Sequence, residues 1–212
     1  FWFLALVFGA LGDITQVKGE EPTRDYIDPD GVYGSIVLMG DGSVPASVWR
    51  EFVSRAKGGS VVIIPAASGD PILDACRDGE RLRDFGATDL LGGYELPDRD
   101  EDVRQLVAMI ANSRAVWICG GDASRLAKRY QGTAVDEAID ALLRRGGVVG
   151  GCAELAMSRG DVDFKIDEET ALIIDGRTVQ VRGQGRVKLK LPASHVLPAA
   201  EISLRRDDVA DW

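Results

Sequence analysis

Two unbroken apolar runs constrain this chain more than any other feature. Ser60-Val-Val-Ile-Ile64 and Ala115-Val-Trp-Ile-Cys119 show no alternation of apolar and polar residues. A strand with one wet face alternates; an unbroken run needs both faces covered, the situation of a strand inside a parallel sheet flanked by helices. The segments between such runs supply the helices. From Val44 to Lys57, Val48, Phe52, Val53 and Ala56 fall on one helical face, and Gly58-Gly59 ends the pattern. Helices are also predicted over Ile72 to Phe85, Asp100 to Ala111, Ser124 to Tyr130 and Ala134 to Arg145. The third starts with acids, which suit a helix N-terminus. Ser35 to Met39, a weaker Thr88 to Leu96, and Val148-Val149 complete the strands.

Strands alternating with helices predict βαβ units, and so an α/β fold with a doubly wound, mostly parallel, flavodoxin-like sheet. The pattern changes after Met157. Ala171 to Ile174, Val179 to Arg182 and Val187 to Leu191 read as a C-terminal β-meander, with Asp175-Gly176 as a hairpin turn.

Composition narrows the function. A net charge of −9 argues against a nucleic-acid partner, which calls for a basic face. Cys76, Cys119 and Cys152 form no CxxC pair and no zinc-ligand spacing, so no metal and no cofactor are expected. His195, between Pro192 and Pro198, reads as a loop residue. Phe1 to Leu11 is an apolar run of export-signal length, too short to span a bilayer, and Ala10-Leu-Gly12 resembles a cleavage site. The expected organisation is therefore a signal segment over 1–12, a polar linker over 13–34, the α/β domain over 35–191 and a tail over 192–212. The expected location is periplasmic or extracellular, with the cytoplasm as the alternative, and no membrane span is expected in the mature chain.

In such sheets functional residues gather in loops at the carboxyl ends of strands. Those loops are Gly40-Asp-Gly42, Ala66-Ala-Ser-Gly69, Gly120-Gly-Asp-Ala123 and Gly151-Cys-Ala-Glu154, all small enough for backbone to approach a ligand. Gly146-Gly-Val-Val-Gly-Gly-Cys-Ala-Glu-Leu-Ala-Met157 has the shape of a nucleophile elbow, a sharp strand-to-helix turn presenting one side chain. One register presents Cys152, the other Ala153. The first allows thiol chemistry; the second has no nucleophile.

Several segments together resemble cyanophycinase and its relatives in peptidase family S51. They are Gly120-Gly-Asp-Ala-Ser-Arg-Leu126, Gly132-Thr133, Gly146 to Gly151, Ile166 to Leu172 and Val179 to Val187, with Gly40 to Gly42 and Ile64 to Ser68 fitting the early loops. The resemblance covers about Ser35 to Leu191. It implies a class I glutamine amidotransferase-like fold and a serine-peptidase ancestry, with hydrolysis of Asp-containing peptides such as β-Asp-Arg.

The departures bear on activity. The family elbow reads Gly-Gly-Thr-Ser-Ala-Gly-Ala. Without gaps, Cys152 stands at the threonine, Ala153 at the nucleophilic serine and Glu154 at the following alanine, and Ala123 stands at a family glutamine. The family's Asp-x-His-Phe segment, which supplies the base, should fall between Met157 and Ile166. Only Ser158 to Lys165 stands there, without histidine. The resemblance therefore implies impaired catalysis, because losing one triad member costs orders of magnitude in rate.

Three readings stay open: a degenerate peptidase homologue that binds a peptide or amino-acid-derived ligand, a thiol enzyme or redox sensor using Cys152, and an interaction domain. Glu154 reads either as a carboxylate for a cationic ligand group such as a guanidinium, or as compensation of a helix dipole. Gly120, Gly121, Asp122, Ala123 and Ser68 are the remaining binding candidates. Asp122 reads first as a cap and Ser68 first as a loop hydroxyl. Cys76 and Cys119 read as packing residues, and Asp167-Glu-Glu169 as structural.

Overall fold

Burial separates the strand residues into two alternating sets, and each set faces its own layer of helices. Ile36, Leu38, Val62, Ile64, Val116, Ile118 and Val149 pack in one apolar cluster; Val37, Met39, Val61, Ile63, Ala115, Trp117 and Val148 pack in the other. The computed structural model describes residues 32–40, 42–92, 100–152, 163–176, 178–191 and 200–211.

The main sheet contains β1 (Val32–Met39), β2 (Val61–Ile64), β3 (Leu90–Gly92), β4 (Ala115–Ile118), β5 (Val148–Cys152), β7 (Thr170–Gly176), β8 (Thr178–Gly183) and β11 (Val209–Asp211). Its order is β11-β8-β7-β1-β5-β4-β2-β3. The run from β1 to β3 is parallel, and β7, β8 and β11 are antiparallel additions beyond β1. This is the expected α/β, mostly parallel sheet.

Helices α1 (Ala46–Ala56) and α2 (Pro71–Asp84) cover one face. Helices α3 (Asp100–Ala111), α4 (Ala123–Tyr130) and α5 (Ala134–Arg144) cover the other. Local chemistry explains the boundaries. Asp70 caps α2 by accepting from the Leu73 N–H at 3.2 Å, and Pro71 occupies the first turn, where its missing N–H costs nothing. Lys57 at φ 52° and Gly58 at φ 72° turn the chain out of α1.

Two sequence expectations change in the C-terminal third. β7 and β8 form the expected hairpin, but β9 (Arg186–Leu191) leaves the main sheet. It pairs with β6 (Asp163–Ile166) and β10 (Ala200–Arg205) in a second, three-stranded antiparallel sheet. Val187, Leu189 and Leu204 of that sheet join the core on the α3–α5 side. Burying that apolar stripe is what draws β9 away from β8. Residues 200–211, read from sequence as tail, supply β10 and the edge strand β11. The signal segment and nearly all of the linker, 1–31, lie outside the described residues, and Val32 to Gly34 already belong to β1. No helix among the described residues is long and apolar enough to cross a membrane.

Candidate functional site

Register brings the expected loops to one edge. Met39 pairs with Cys152, Gly151 with both Leu38 and Ile118, and Ile118 with Ile64. The carboxyl ends of β1, β2, β4 and β5 therefore lie side by side. β7 enters from the same edge: Gly40 N–H donates to the Thr170 carbonyl at 2.9 Å, which sets the 167–170 turn against the first loop.

The loops after β2 and β4 are locked together through backbone. Cys119 N–H donates to Ile64 O at 3.0 Å, and Asp122 N–H donates to Ala67 O at 2.9 Å. Gly121 makes that approach possible. Its φ is +145°, and a Cβ there would lie 2.0 Å from the Ala67 carbonyl oxygen. Only glycine fits both demands. The Asp122 N–H is thereby committed to the Ala67 carbonyl.

Asp122 caps α4, its carboxylate accepting from the Ser124 N–H at 2.7 Å. The Ser124 hydroxyl and N–H, together with the Arg125 guanidinium, hold its carboxyl below the usual range. A depressed carboxylate stabilises the fold above its unfolded pKa and loses that contribution as pH falls through the folded value. Asp122→Ala is therefore expected to lower the melting temperature at neutral pH, and the difference from wild type should vanish in strong acid. Thermal unfolding followed across pH checks this; a pH-independent difference would contradict the capping role.

The Ser68 hydroxyl is tied into its own loop. Ser68 is buried, its hydroxyl donates to Asp74 Oδ2 at 2.5 Å and accepts from the Asp70 N–H at 2.9 Å, and its carbonyl accepts from Arg125 Nη1 at 3.1 Å. Every polar group of that side chain is used to shape the loop. Arg125 and Asp74, which hold it, were not singled out in the sequence. Arg125 lies inside the glycine-rich motif, but only the fold shows its reach to the β2 loop.

The elbow glycines also have a packing reason. A Cβ on Gly150 would sit 2.7 Å from Phe52 Cδ2 and 3.0 Å from Trp117 Cε3, and one on Gly151 would sit 2.6 Å from Ile118 O. Phe52 meets the Trp117 ring edge-on at 4.8 Å between centroids, and Trp49 lies against Trp117 at 4.4 Å. The strand is stripped of side chains where this aromatic group presses on it. Behind it, Trp117 Nε1 donates to Asp78 Oδ2 at 3.0 Å. Burial, then the charge and hydrogen bond of Asp78, push the Cys119 thiol far up, so it stays protonated. Cys119 is a buried packing thiol and Cys76 is exposed.

Asp167 accepts from the Arg186 N–H at 3.0 Å and serves the turn between β6 and β7. Among the described residues no group of three His, Cys, Asp or Glu side chains comes together as a cation site. Ala153, Glu154 and His195 lie outside the described residues. The backbone of Cys152 ends β5, and the backbones of Gly120, Gly121, Asp122 and Ala123 form the turn into α4.

No family profile matches the chain, and no curated protein matches it. Among solved structures, a peptidase from an acI-B1 Actinobacterium superposes with a TM-score of 0.67, covering 85% of this chain and 98% of its own. The chain has that peptidase's fold. The sequences are 17% identical, so the likeness lies in the architecture. A candidate peptidase E from Listeria monocytogenes EGD-e matches with a TM-score of 0.46 at 20% identity, over 58% of this chain and 60% of its own.

Proposed function

We propose that this chain is a relative of the S51 peptidases, of cyanophycinase type, whose serine site has been lost and whose strand-end cleft binds a peptide or amino-acid-derived ligand. One observation carries the reading: the β5 ladder runs through Cys152, paired with Met39. An elbow nucleophile stands past the end of its strand, where the turn lifts it clear. The first residue past β5 is Ala153, which has no hydroxyl or thiol. That favours the register with alanine at the nucleophile position and leaves Cys152 at the family's threonine.

The peptidase-like fold and the tied β2 and β4 loops support a retained cleft. In this reading Glu154, directly after Ala153 in sequence, is the carboxylate for a cationic group of the ligand. Export of the chain remains part of this reading, on the apolar run Phe1 to Leu11.

An Asp-Arg dipeptide tests it. The expected result is a saturable rise in melting temperature with no release of free aspartate and arginine, and loss of the rise in Glu154→Ala. Catalytic turnover of the dipeptide by the wild-type protein would overturn the loss of the site.

A further inference from the structure

Three contacts from outside its own turn hold the loop after β2, and they are not equivalent. Ala67 O accepts from the Asp122 N–H of the β4 loop at 2.9 Å, and Ser68 O accepts from Arg125 Nη1 at 3.1 Å. Arg125 is exposed, so water competes for its guanidinium. The third contact is buried. Ser68 is 5% exposed, and its hydroxyl donates to Asp74 Oδ2 at 2.5 Å. A hydroxyl–carboxylate bond of that length is charge-assisted and about twice as strong as a neutral one. A buried hydroxyl deprived of it would have little water to turn to.

Asp74 divides its carboxylate. Oδ2 serves Ser68, and Oδ1 accepts from Arg77 Nη2 at 2.8 Å. An acid in the first turn of α2 suits the helix dipole whether or not it touches a loop. The bond to Ser68 does something the dipole does not require. It fixes the turn closed by Ser68 N–H on Pro65 O at 3.0 Å, in the position where Ala67 O meets Asp122. That turn follows Ile64, which pairs with Ile118, and Ile118 pairs with Gly151 of β5.

We propose that Asp74 is a positioning residue for the strand-end cleft. Acting through Ser68, it sets the rim made by the β2 loop and, through Ala67 O, the β4 loop, and it does not meet the ligand. The inference rests on the ligand-binding role proposed for that cleft. What the rim needs from position 74 is an acceptor oxygen, not a charge. Asparagine keeps such an oxygen for the Ser68 hydroxyl, and alanine does not.

Amide hydrogen exchange read by NMR follows the rim at the Asp70 and Asp122 N–H groups, with Val116 inside β4 as the reference for global opening. In Asp74→Ala both rim amides should exchange about tenfold faster relative to Val116. Asp74→Asn should stay within about threefold of wild type, and so should Arg77→Gln, which removes only an ion pair whose guanidinium side is 61% exposed. Titration with the Asp-Arg dipeptide adds a second readout: Asp74→Ala should bind about tenfold more weakly than wild type, and Asp74→Asn nearly as well. Equal loosening in Asp74→Asn and Asp74→Ala, the same loosening in Arg77→Gln, or an unchanged rim in Asp74→Ala would overturn the positioning role and leave Asp74 as dipole compensation. A loosened rim with undiminished dipeptide affinity would overturn its link to the cleft. Failure of the wild-type protein to bind the dipeptide would instead count against the cleft reading, and the exchange pattern would still decide whether Asp74 sets the rim.

Discussion

Trp117→Ala is expected to destabilise the fold by about 3–5 kcal/mol, the usual cost of truncating a large buried aromatic. Trp117 is 1% exposed and sits between Phe52 and Trp49 at the centre of the α1–α2 face. Its loss opens a void where Gly150 contributes no side chain, so nothing on β5 can collapse into the space. It also removes the Nε1–H that satisfies Asp78, leaving a buried carboxylate short of one donor. A domain of this kind is stable by roughly 5–15 kcal/mol, so the variant should stand near the edge of folding. Trp117→Phe separates the two effects. It keeps a six-membered ring, so the void is much smaller, and it removes the donor, at an expected cost of about 1–3 kcal/mol. Urea unfolding of the three proteins checks the order; equal stability of wild type and Trp117→Phe would show that Asp78 does not depend on the indole.

Gly121→Ala is the second large effect, and it acts through backbone. The added methyl would be 2.0 Å from Ala67 O and 2.8 Å from the Ser68 nitrogen, both main-chain atoms that cannot rotate away. The backbone angle, φ +145°, is itself unfavourable for any residue with a Cβ. Strain of about 1–3 kcal/mol from the angle adds to about 1–3 kcal/mol from overpacking. The expected total is then about 2–6 kcal/mol, with separation of the β2 and β4 loops. Gly132→Ala is the control. It has φ +67° but nothing within 4 Å of the new methyl, so only the angle matters, at about 1–2 kcal/mol. Similar losses in both variants would mean that the contact with Ala67 is not what fixes Gly121.

The parallel half of the sheet was legible because its signal is local. The unbroken runs at β2 and β4 and the helical spacing of α1 each carry their own pattern, and the structure places them within a few residues of the expected bounds. The end of β5 was less legible. Gly150 and Gly151 are poor strand formers, and they continue the strand because β1 and β4 offer ladder partners on both sides. β10 was missed although Ala200, Ile202 and Leu204 alternate with Glu201, Ser203 and Arg205. Flanking prolines and a short run read as tail, and only pairing with β9 makes it a strand.

The site was legible as a set of loops but not as a network. An acid on a helix, such as Asp78, ordinarily reads as a solvated residue. Its role comes from Trp117, 39 positions away, whose indole reaches it across the packed face. The same holds for Ser68, whose partners Asp74 and Arg125 come from two different helices. Side-chain chemistry of this kind depends on which elements the sheet order brings together, and no local pattern encodes it.

The proposed loss of the site requires Cys152 to belong to β5 and not to the tip of an elbow. Its most direct test is alkylation by iodoacetamide across pH, read at each cysteine by mass spectrometry, with Cys152→Ser confirming the assignment. Cys76, exposed, and Cys119, buried, set the two ends of the scale within the same molecule. Cys152 is expected to label no faster than the exposed Cys76 at every pH. Rapid labelling of Cys152 in mild acid, ahead of Cys76, would instead identify Cys152 as an activated nucleophile at an elbow tip.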